Sequence, residues 1–262
     1  MFGVSKPTLV GAMMIFAVAP AMAADILPDP IPVQPAPAFG GWYLRGHIGM
    51  TNQALDNLDT DLYRDPYISA HGWHDGGNFD SSPLFGGGIG YQFNEWFRAD
   101  VMAEYRGKSD FRAVDWVTTT FPGNPGTYTN DYSAQKSEWL IMANAYADLG
   151  TFGGVTPYVG AGIGASRNTI SGFRDVNVLR GGAAWAPEES QWNLAWALHA
   201  GLGIAVTERT TIDLGYSFVS LGDARTGPLA NDDPAYTLPN DGFRFNDLTS
   251  HDLKVGVRYS FY

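Results

Sequence analysis

Ser250, His251 and Asp252 are consecutive residues of the three types that form a hydrolase triad. In a strand, however, His251 points away from both neighbours, so the three side chains cannot act as a relay. Lipid-modifying chemistry would require a Ser–His pair from different strands, and a sequence alone does not locate such a pair. We therefore predict no catalytic residue.

Two other stretches could hold a metal or a cofactor. His71 and His74 stand beside Asp75 in "HGWHDGG", and histidine binds both metal ions and haem. Two histidines without a fixed backbone bind weakly, so a solvated loop is the favoured interpretation, with a metal or haem contact left open. Residues 160–165, "GAGIGA", match a dinucleotide fingerprint, but their glycines recur at period two and no helix follows. No cofactor or metal is expected.

The composition restricts the class of protein. The 262 residues are 45% hydrophobic and only 16% charged, with 32 glycines and no cysteine. The low charged fraction and high glycine content disfavour an ordinary soluble helical protein. A net charge of -11 argues against nucleic acid as a partner.

The first 40 residues have two parts. Residues 1–23 contain one early lysine, an apolar run and Ala21-Met22-Ala23, the pattern of a secretory signal peptide with an A-x-A cleavage site. The apolar run is too short to span a membrane as a helix and contains Pro20. Residues 24–40 are rich in proline, which favours an extended tether. We expect export, followed by a periplasmic spacer.

Eight stretches after residue 40 alternate between apolar and polar or small residues. Phe97, Val101 and Tyr105 would also suit a helix face, but the stretch directly before them is too rich in glycine to be helical. Only residues 94–95 separate the two stretches, as in a hairpin. Period two therefore applies to both. The eight predicted strands are residues 42–50, 85–93, 97–107, 138–150, 157–165, 192–206, 211–218 and 251–262.

The connections between these strands alternate in length. Residues 94–95, 150–155 and 207–209 are short, whereas residues 51–82, 107–136, 168–190 and 222–247 are long and polar. An up-and-down outer-membrane barrel has this arrangement, and a soluble sandwich has no reason to adopt it. The sequence predicts an all-β fold, with residues 41–262 forming an eight-stranded antiparallel transmembrane β-barrel with short periplasmic turns and four long extracellular loops.

The ionisable side chains fall on the strand face opposite the apolar one. In a membrane barrel that face points inward, and eight strands leave an interior just wide enough for side chains to fill. The acids and bases nearly balance, as buried charges require. We therefore expect a filled, ion-paired interior rather than a diffusion pore. The predicted network comprises Arg45, His47, Arg98, Asp100, Glu104, Arg106, Glu138, Asp148, His199, Asp213, Asp252, Lys254 and Arg258.

Several motifs together resemble one family. The signal and proline-rich lead, "GWYLRGHIGM", "GYQFNEWFRADV", "ANAYADLG", "TPYVGAGIGASRN", "WALHAGLG" and "VGVRYSFY" are similar to the small opacity-type outer-membrane β-barrel proteins of alphaproteobacteria. The resemblance covers residues 41–262, apart from the loops. It implies a barrel without catalytic residues that acts in envelope integrity and surface contact. A small-solute porin and an outer-leaflet lipid-modifying enzyme are the alternatives.

The resemblance also implies that the barrel-assembly machinery reads an aromatic residue at the C-terminus. The lipid-facing series of the last strand includes Tyr259 and ends at Phe261, so Tyr262 lies one residue beyond it on the other face. We therefore expect Phe261 to contribute to the signal together with Tyr259 and Tyr262.

The long connections indicate the remaining partners. Their acids, such as Asp59 and Asp223, could be bridged to the phosphates of lipopolysaccharide by divalent cations. The bases in the second and third connections could meet phosphates directly. These are Lys108, Arg112, Arg167, Arg174 and Arg180. A host or surface ligand could also bind the loops of what we expect to be a monomer.

Overall fold

A computed structural model of the chain describes residues 40–179, 181–232 and 242–261. The expected signal peptide, residues 1–23, lies outside these ranges. So do the expected tether, residues 24–40 with the exception of Gly40, the loop residue Arg180 and the terminal Tyr262.

The described residues form twelve strands and one short 3₁₀ helix, η1 (Asp61–Arg64). The strands are β1 (Gly41–Ala54), β2 (Asn57–Thr60), β3 (Ile68–Phe79), β4 (Ser82–Gln92), β5 (Phe97–Thr119), β6 (Gly126–Asp148), β7 (Val155–Asn177), β8 (Ala183–Trp185), β9 (Glu189–Ala205), β10 (Thr210–Arg225), β11 (Ala230–Asn231) and β12 (Phe243–Ser260). Within the described ranges, no helix is both long and apolar enough to cross a membrane.

Eight of these strands close into a ring. Each of β1, β4, β5, β6, β7, β9, β10 and β12 pairs antiparallel with the next, and β12 returns to pair with β1. Tyr43 lies opposite Ser260 at the closing seam. Closure leaves no free sheet edge, which a sheet surrounded by lipid requires. The predicted eight-stranded barrel is confirmed.

Burial alternates along the ring strands as period two requires. On β1, Tyr43 and His47 are buried inside, whereas Leu44 and Ile48 are exposed on the outside. The apolar side chains on the outer face form a band around the barrel. This lipid band includes Trp42, Ile48, Phe85, Ile89, Val101, Trp139, Ile141, Ile163, Trp196, Leu198, Leu202, Val255, Val257 and Tyr259.

The strand ends predicted near Gly107, Asn168 and Gly222 are wrong, because the sheet continues into the long connections. Strands β5, β6 and β7 each have 23 residues, about twice what a tilted strand needs to cross the membrane. On the first connection β2 pairs with β12 and β3 pairs with β5. On the third and fourth, β8 pairs with β7 and β11 with β8.

β-Bulges explain why the alternation appeared to end. The pairing of β5 with β6 shifts register between Arg106 and Ser109, and an extra residue reverses which side chains face inward. Arg106 points inward before the shift, and Ser109 and Phe111 point inward after it. Gly222, with φ at 70°, marks a similar shift in the pairing of β10 with β12.

The interior changes character along the barrel. Surrounded by the lipid band it is polar, and beyond the bulges it becomes an apolar core. That core contains fully buried aromatic rings, including Phe111, Phe243 and Phe245. We call the part of the barrel beyond the bulges the extracellular extension. The sequence predicts polar loops there, and that prediction is wrong because these segments form paired strands around an apolar core. The side chains of the extension's core are Leu58, Phe79, Phe111, Ala113, Tyr132, Ala134, Ile170, Phe173, Ala186, Leu221, Ala224, Leu229, Phe243, Phe245 and Leu248.

Candidate functional site

The lowest layer of the polar interior lies near the short turns. Nε of Arg98 donates to Asp148 at 3.1 Å, and its guanidinium lies between the rings of Tyr146 and Tyr158 at 4.2 and 4.7 Å. Nη2 of Arg258 donates to Asp213 at 3.4 Å. Both arginines are thus held by a carboxylate, and Arg98 also by aromatic faces that attract cations.

The next layer centres on Asp100. Its Oδ2 accepts from Arg45 at 2.7 Å and its Oδ1 accepts from the amide of Asn144 at 2.7 Å. Tyr146 accepts from the same guanidinium at 2.7 Å. Asn144 in turn lies 3.1 Å from Nε2 of His199. Arg45, Asp100 and His199 therefore belong to one hydrogen-bonded group contributed by different strands.

Glu104 is the centre of the third layer. Its side chain is fully buried and lies 2.7 Å from Nε2 of His47 and 2.7 Å from Nζ of Lys254. Nε of Arg106 donates to its other oxygen at 2.9 Å. One carboxylate thus has three basic neighbours.

Arg106 links this layer to the uppermost one. It donates to Asp252 at 2.6 Å and to the hydroxyl of Ser250 at 2.7 Å, and it lies 3.6 Å from Glu138. Glu138 also forms an ion pair with Lys136. All the sequence-predicted network residues therefore point into the barrel, and each has a polar contact within its own layer.

Lys136 is the member of this network that the sequence analysis missed. It was assigned to a loop, but its side chain is fully buried, and Nζ donates to Gln53 at 2.7 Å. Lys136 lies two residues before Glu138, so period two places both side chains on the inward face of β6. That spacing is the signal in the sequence that could have identified Lys136. With Lys136, the polar interior has equal numbers of lysines or arginines and of acids among the described residues. The bases are Arg45, Arg98, Arg106, Lys136, Lys254 and Arg258, and the acids are Asp100, Glu104, Glu138, Asp148, Asp213 and Asp252.

Glycines make room for these long side chains. A Cβ on Gly90 would lie 2.2 Å from the ring of Tyr43, and one on Gly162 would lie 2.0 Å from the amide oxygen of Asn144. A cavity between Arg45, His47 and His199 has a volume of about 20 Å³, room for about one water molecule.

The residues that could form a catalytic triad or a metal site are not brought together by the fold. Ser250 and Asp252 point inward and contact Arg106, whereas His251 is on the outer face, 2.6 Å from the hydroxyl of Tyr216. His71 stacks on Tyr63 with a centroid distance of 4.2 Å. The described residues contain no cluster of three or more His, Cys, Asp or Glu side chains placed to hold a metal.

A cavity of about 410 Å³ lies in the extracellular extension, between η1, β5, β6, β7 and β8. Aromatic rings, including Tyr63, Tyr67 and Phe121, line much of it. Asp115 is fully buried beneath this cavity and accepts hydrogen bonds from the hydroxyls of Tyr63 and Tyr132, both at 2.8 Å. Burial, together with the nearby charges of Asp115 and Asp175, raises the pKa of both tyrosines.

Asp175 also lines the cavity, opposite Tyr132 in the β6–β7 register. Burial, together with the nearby charge of Asp115, raises the pKa of Asp175 to about 7. No sequence motif marks this cavity, because its walls come from segments that are far apart along the chain.

Comparisons with known proteins agree with this architecture. Residues 8–261 match the family described as outer membrane protein beta-barrel domain. An uncharacterized protein of Brucella abortus (strain 2308) is 30% identical over 276 residues, 95% of each chain. A protein of Rickettsia bellii (strain OSU 85-389) named "Putative adhesin" is 25% identical over 224 residues, 83% of this chain and 87% of its own.

The crystal structure of Neisserial surface protein A aligns with 84% of this chain and 97% of its own, with 16% identity and a TM-score of 0.47. The family match covers nearly the whole sequence, and the closed ring of strands is the β-barrel that the family description names. The chain therefore belongs to the outer membrane protein beta-barrel domain family and is a β-barrel protein of the bacterial outer membrane.

Proposed function

We propose that this protein is a non-conducting barrel that contributes to envelope integrity and holds a rigid extracellular extension for contact with surface ligands. The close packing of charged side chains inside the barrel supports this proposal. Among the described residues, six acids and six lysines or arginines occupy the polar interior, and a cavity among them has room for about one water molecule. Above them the fully buried rings of Phe111, Phe243 and Phe245 belong to the apolar core.

A small-solute porin is the competing function, and conductance separates the two. The mature protein is reconstituted into a planar bilayer, with a general diffusion porin as the positive control. We expect no regular open-channel steps, because a solute would have to displace buried ion pairs and then an aromatic core. Steps of uniform size at every insertion would contradict a non-conducting barrel.

The extension is suited to surface contact because paired strands, rather than loose loops, present its outer surface. The adhesin designation of the Rickettsia relative supports the same role. The test expresses the protein on a non-adherent Gram-negative strain and measures attachment to cultured host cells. The variant replaces residues 120–125, between paired Thr119 and Gly126, with an Asn-Gly turn.

We expect the wild type to promote attachment and the shortened hairpin to weaken it. Heat-modifiable gel migration, which reports barrel folding, should be unchanged in the variant. Equal attachment by the wild type and an empty vector would refute a role in adhesion.

We further propose that the outer face contacts lipopolysaccharide phosphates through Lys108, Arg112 and Arg174. All three side chains are exposed beyond the lipid band, and Arg112 and Arg174 flank Ser133 on adjacent strands. Arginine and lysine bind phosphate through charge-assisted hydrogen bonds. Divalent cations would bridge the remaining acids, so a chelator should make the extension sensitive to protease. Unchanged protection would contradict the bridging.

Phe261 is our proposed assembly residue, together with Tyr259 and Tyr262. The backbone N–H of Phe261 donates to Trp42 at 3.0 Å, and its exposed ring packs edge-on against Tyr259 at 5.5 Å. Deleting residues 261–262 should abolish outer-membrane insertion. Normal surface levels of the truncated protein would rule this assignment out.

A further inference from the structure

Two carboxylates at the extracellular cavity are in very different situations: Asp115 lies beneath it, and Asp175 lies in its wall. Asp115 accepts four hydrogen bonds, from the hydroxyls of Tyr63 and Tyr132 and from the backbone and side-chain amides of Asn130. These donors satisfy both of its oxygens. Asp115 is therefore a structural residue that fixes the floor of the cavity.

Asp175 has no such donors among the described residues. The hydroxyl of Tyr132, its cross-strand neighbour, already donates to Asp115, so that proton is not available to Asp175. On β8 the residue opposite Asp175 is Ala184, which carries no polar side chain. Burying a charged carboxylate without a donor is costly, so the group either keeps its proton or pairs with a cation from outside.

The rest of the cavity has a negative charge and aromatic walls. Asp65 and Asp232 also line it, and none of the described lining residues is lysine, arginine or histidine. Tyr67 and Phe121 form an edge-to-face pair at 5.0 Å in the wall. Aromatic faces and carboxylates both attract cations, and neither favours an anion.

We propose that this cavity binds an organic cation, with an ammonium or guanidinium group paired to Asp175 and its apolar part packed against the tyrosine rings. The volume of about 410 Å³ suits a small organic molecule. A bare metal ion suits it poorly, because Asp115 is already fully engaged and the described residues hold no cluster of metal ligands. This site is independent of whether the barrel conducts.

Isothermal titration calorimetry of the mature protein in detergent micelles tests the charge requirement with three phenols of similar size. Tyramine carries an ammonium group, 4-ethylphenol is neutral and 4-hydroxyphenylacetate is an anion. We expect saturable binding of tyramine with one site per chain. The neutral phenol should bind at least about tenfold more weakly, because it loses a charge-assisted contact, and the anion should not bind.

Two matched variants test the residue. Asp175→Asn keeps the shape and removes the charge, and should weaken tyramine binding at least about tenfold. Asp131→Asn makes the same change on the exposed outer face, next to Tyr132, and should leave binding unaltered. Both variants should retain heat-modifiable migration, which shows that the barrel folds.

Three results would overturn the proposal. They are absence of saturable tyramine binding to the wild type, equal binding of tyramine and the neutral phenol, and unchanged tyramine affinity in the folded Asp175→Asn variant. Because the first two use only the wild type, they decide the question even if the variant fails to fold.

Discussion

Replacing Glu104 with glutamine tests whether the ion network stabilises the barrel. The carboxylate is fully buried, and it lies within 2.9 Å of nitrogen atoms on His47, Arg106 and Lys254. Glu104→Gln is nearly isosteric, so packing changes little. The substitution nevertheless removes one negative charge from a layer whose acids and bases are matched.

The expected loss of stability depends on which acidic neighbours Lys254 and Arg106 keep after the substitution. Among the described residues, Lys254 keeps one acidic neighbour, Asp252 at 3.5 Å, and Arg106 keeps its contact with Asp252 at 2.6 Å. Removing one partner of a buried ion pair typically costs about 3–5 kcal/mol, because the other charge is left uncompensated. Since glutamine still offers an acceptor oxygen, we expect the lower end, about 3 kcal/mol.

The matched control removes the charge that the first change leaves unpaired. Lys254→Met retains the length of an unbranched side chain without its charge. In the double variant the layer is again balanced, so its loss should be smaller than the sum of the two single losses by about 1–3 kcal/mol. The measurement is the free energy of unfolding in lipid vesicles by urea titration, followed by tryptophan fluorescence and gel migration.

Additive losses in the double variant would refute this reasoning, because they would mean that Glu104 and Lys254 do not compensate one another. A loss below about 0.5 kcal/mol for Glu104→Gln alone, typical of a surface substitution, would mean that water already screens the layer. In that case the interior would be wetter than a filled barrel allows.

Three further predictions follow from the outer face, the apolar core and the cavity. Val101→Arg should cost about 2–4 kcal/mol in vesicles, because Val101 faces lipid, whereas Met102→Gln on the inward face should cost clearly less. Phe111→Ala should cost about 3–5 kcal/mol by opening a void in the extension, measured by urea titration. Since the pKa of Asp175 is raised to about 7, the folded state retains a proton that the unfolded chain releases, and stability should fall as pH rises from 4 to 7. Asp175→Asn should lessen that fall, seen as the midpoint temperature of heat-modifiable migration.

The sequence could predict the membrane part of this protein because hydrocarbon imposes a strict rule there. Every outward residue must be apolar, so Ile48 and Gly49, or Val101 and Met102, can be assigned to opposite faces from period two alone. Once the face is known, the inward position of Glu104 or Arg106 follows without any knowledge of its partners. Which acid meets which base depends on strand stagger, and the sequence carries no local signal for that.

The extension was not predictable in the same way. Between Arg106 and Ser109 a bulge adds one residue, so the period continues on the opposite parity and Phe111 appears at a position that period two would assign to lipid. A reader of the sequence sees the alternation fail and infers a loop. The cavity is even harder to predict from the sequence, because Tyr63, Asp115 and Asp175 come from three separate segments and none of them belongs to a recognisable motif.

The change from ionic to apolar interior follows from the solvent on the outside of the wall. Where the outer face meets hydrocarbon it must be apolar, and the alternating positions are then left for polar residues. Beyond the membrane the outer face meets water, and on β5 it carries Lys108, Asp110 and Arg112, all exposed. The alternating positions there can be apolar, as in a soluble β-protein. The register shift after Arg106 lies at that boundary. Because of it, one continuous strand presents apolar side chains to lipid below the shift and charged side chains to water above it.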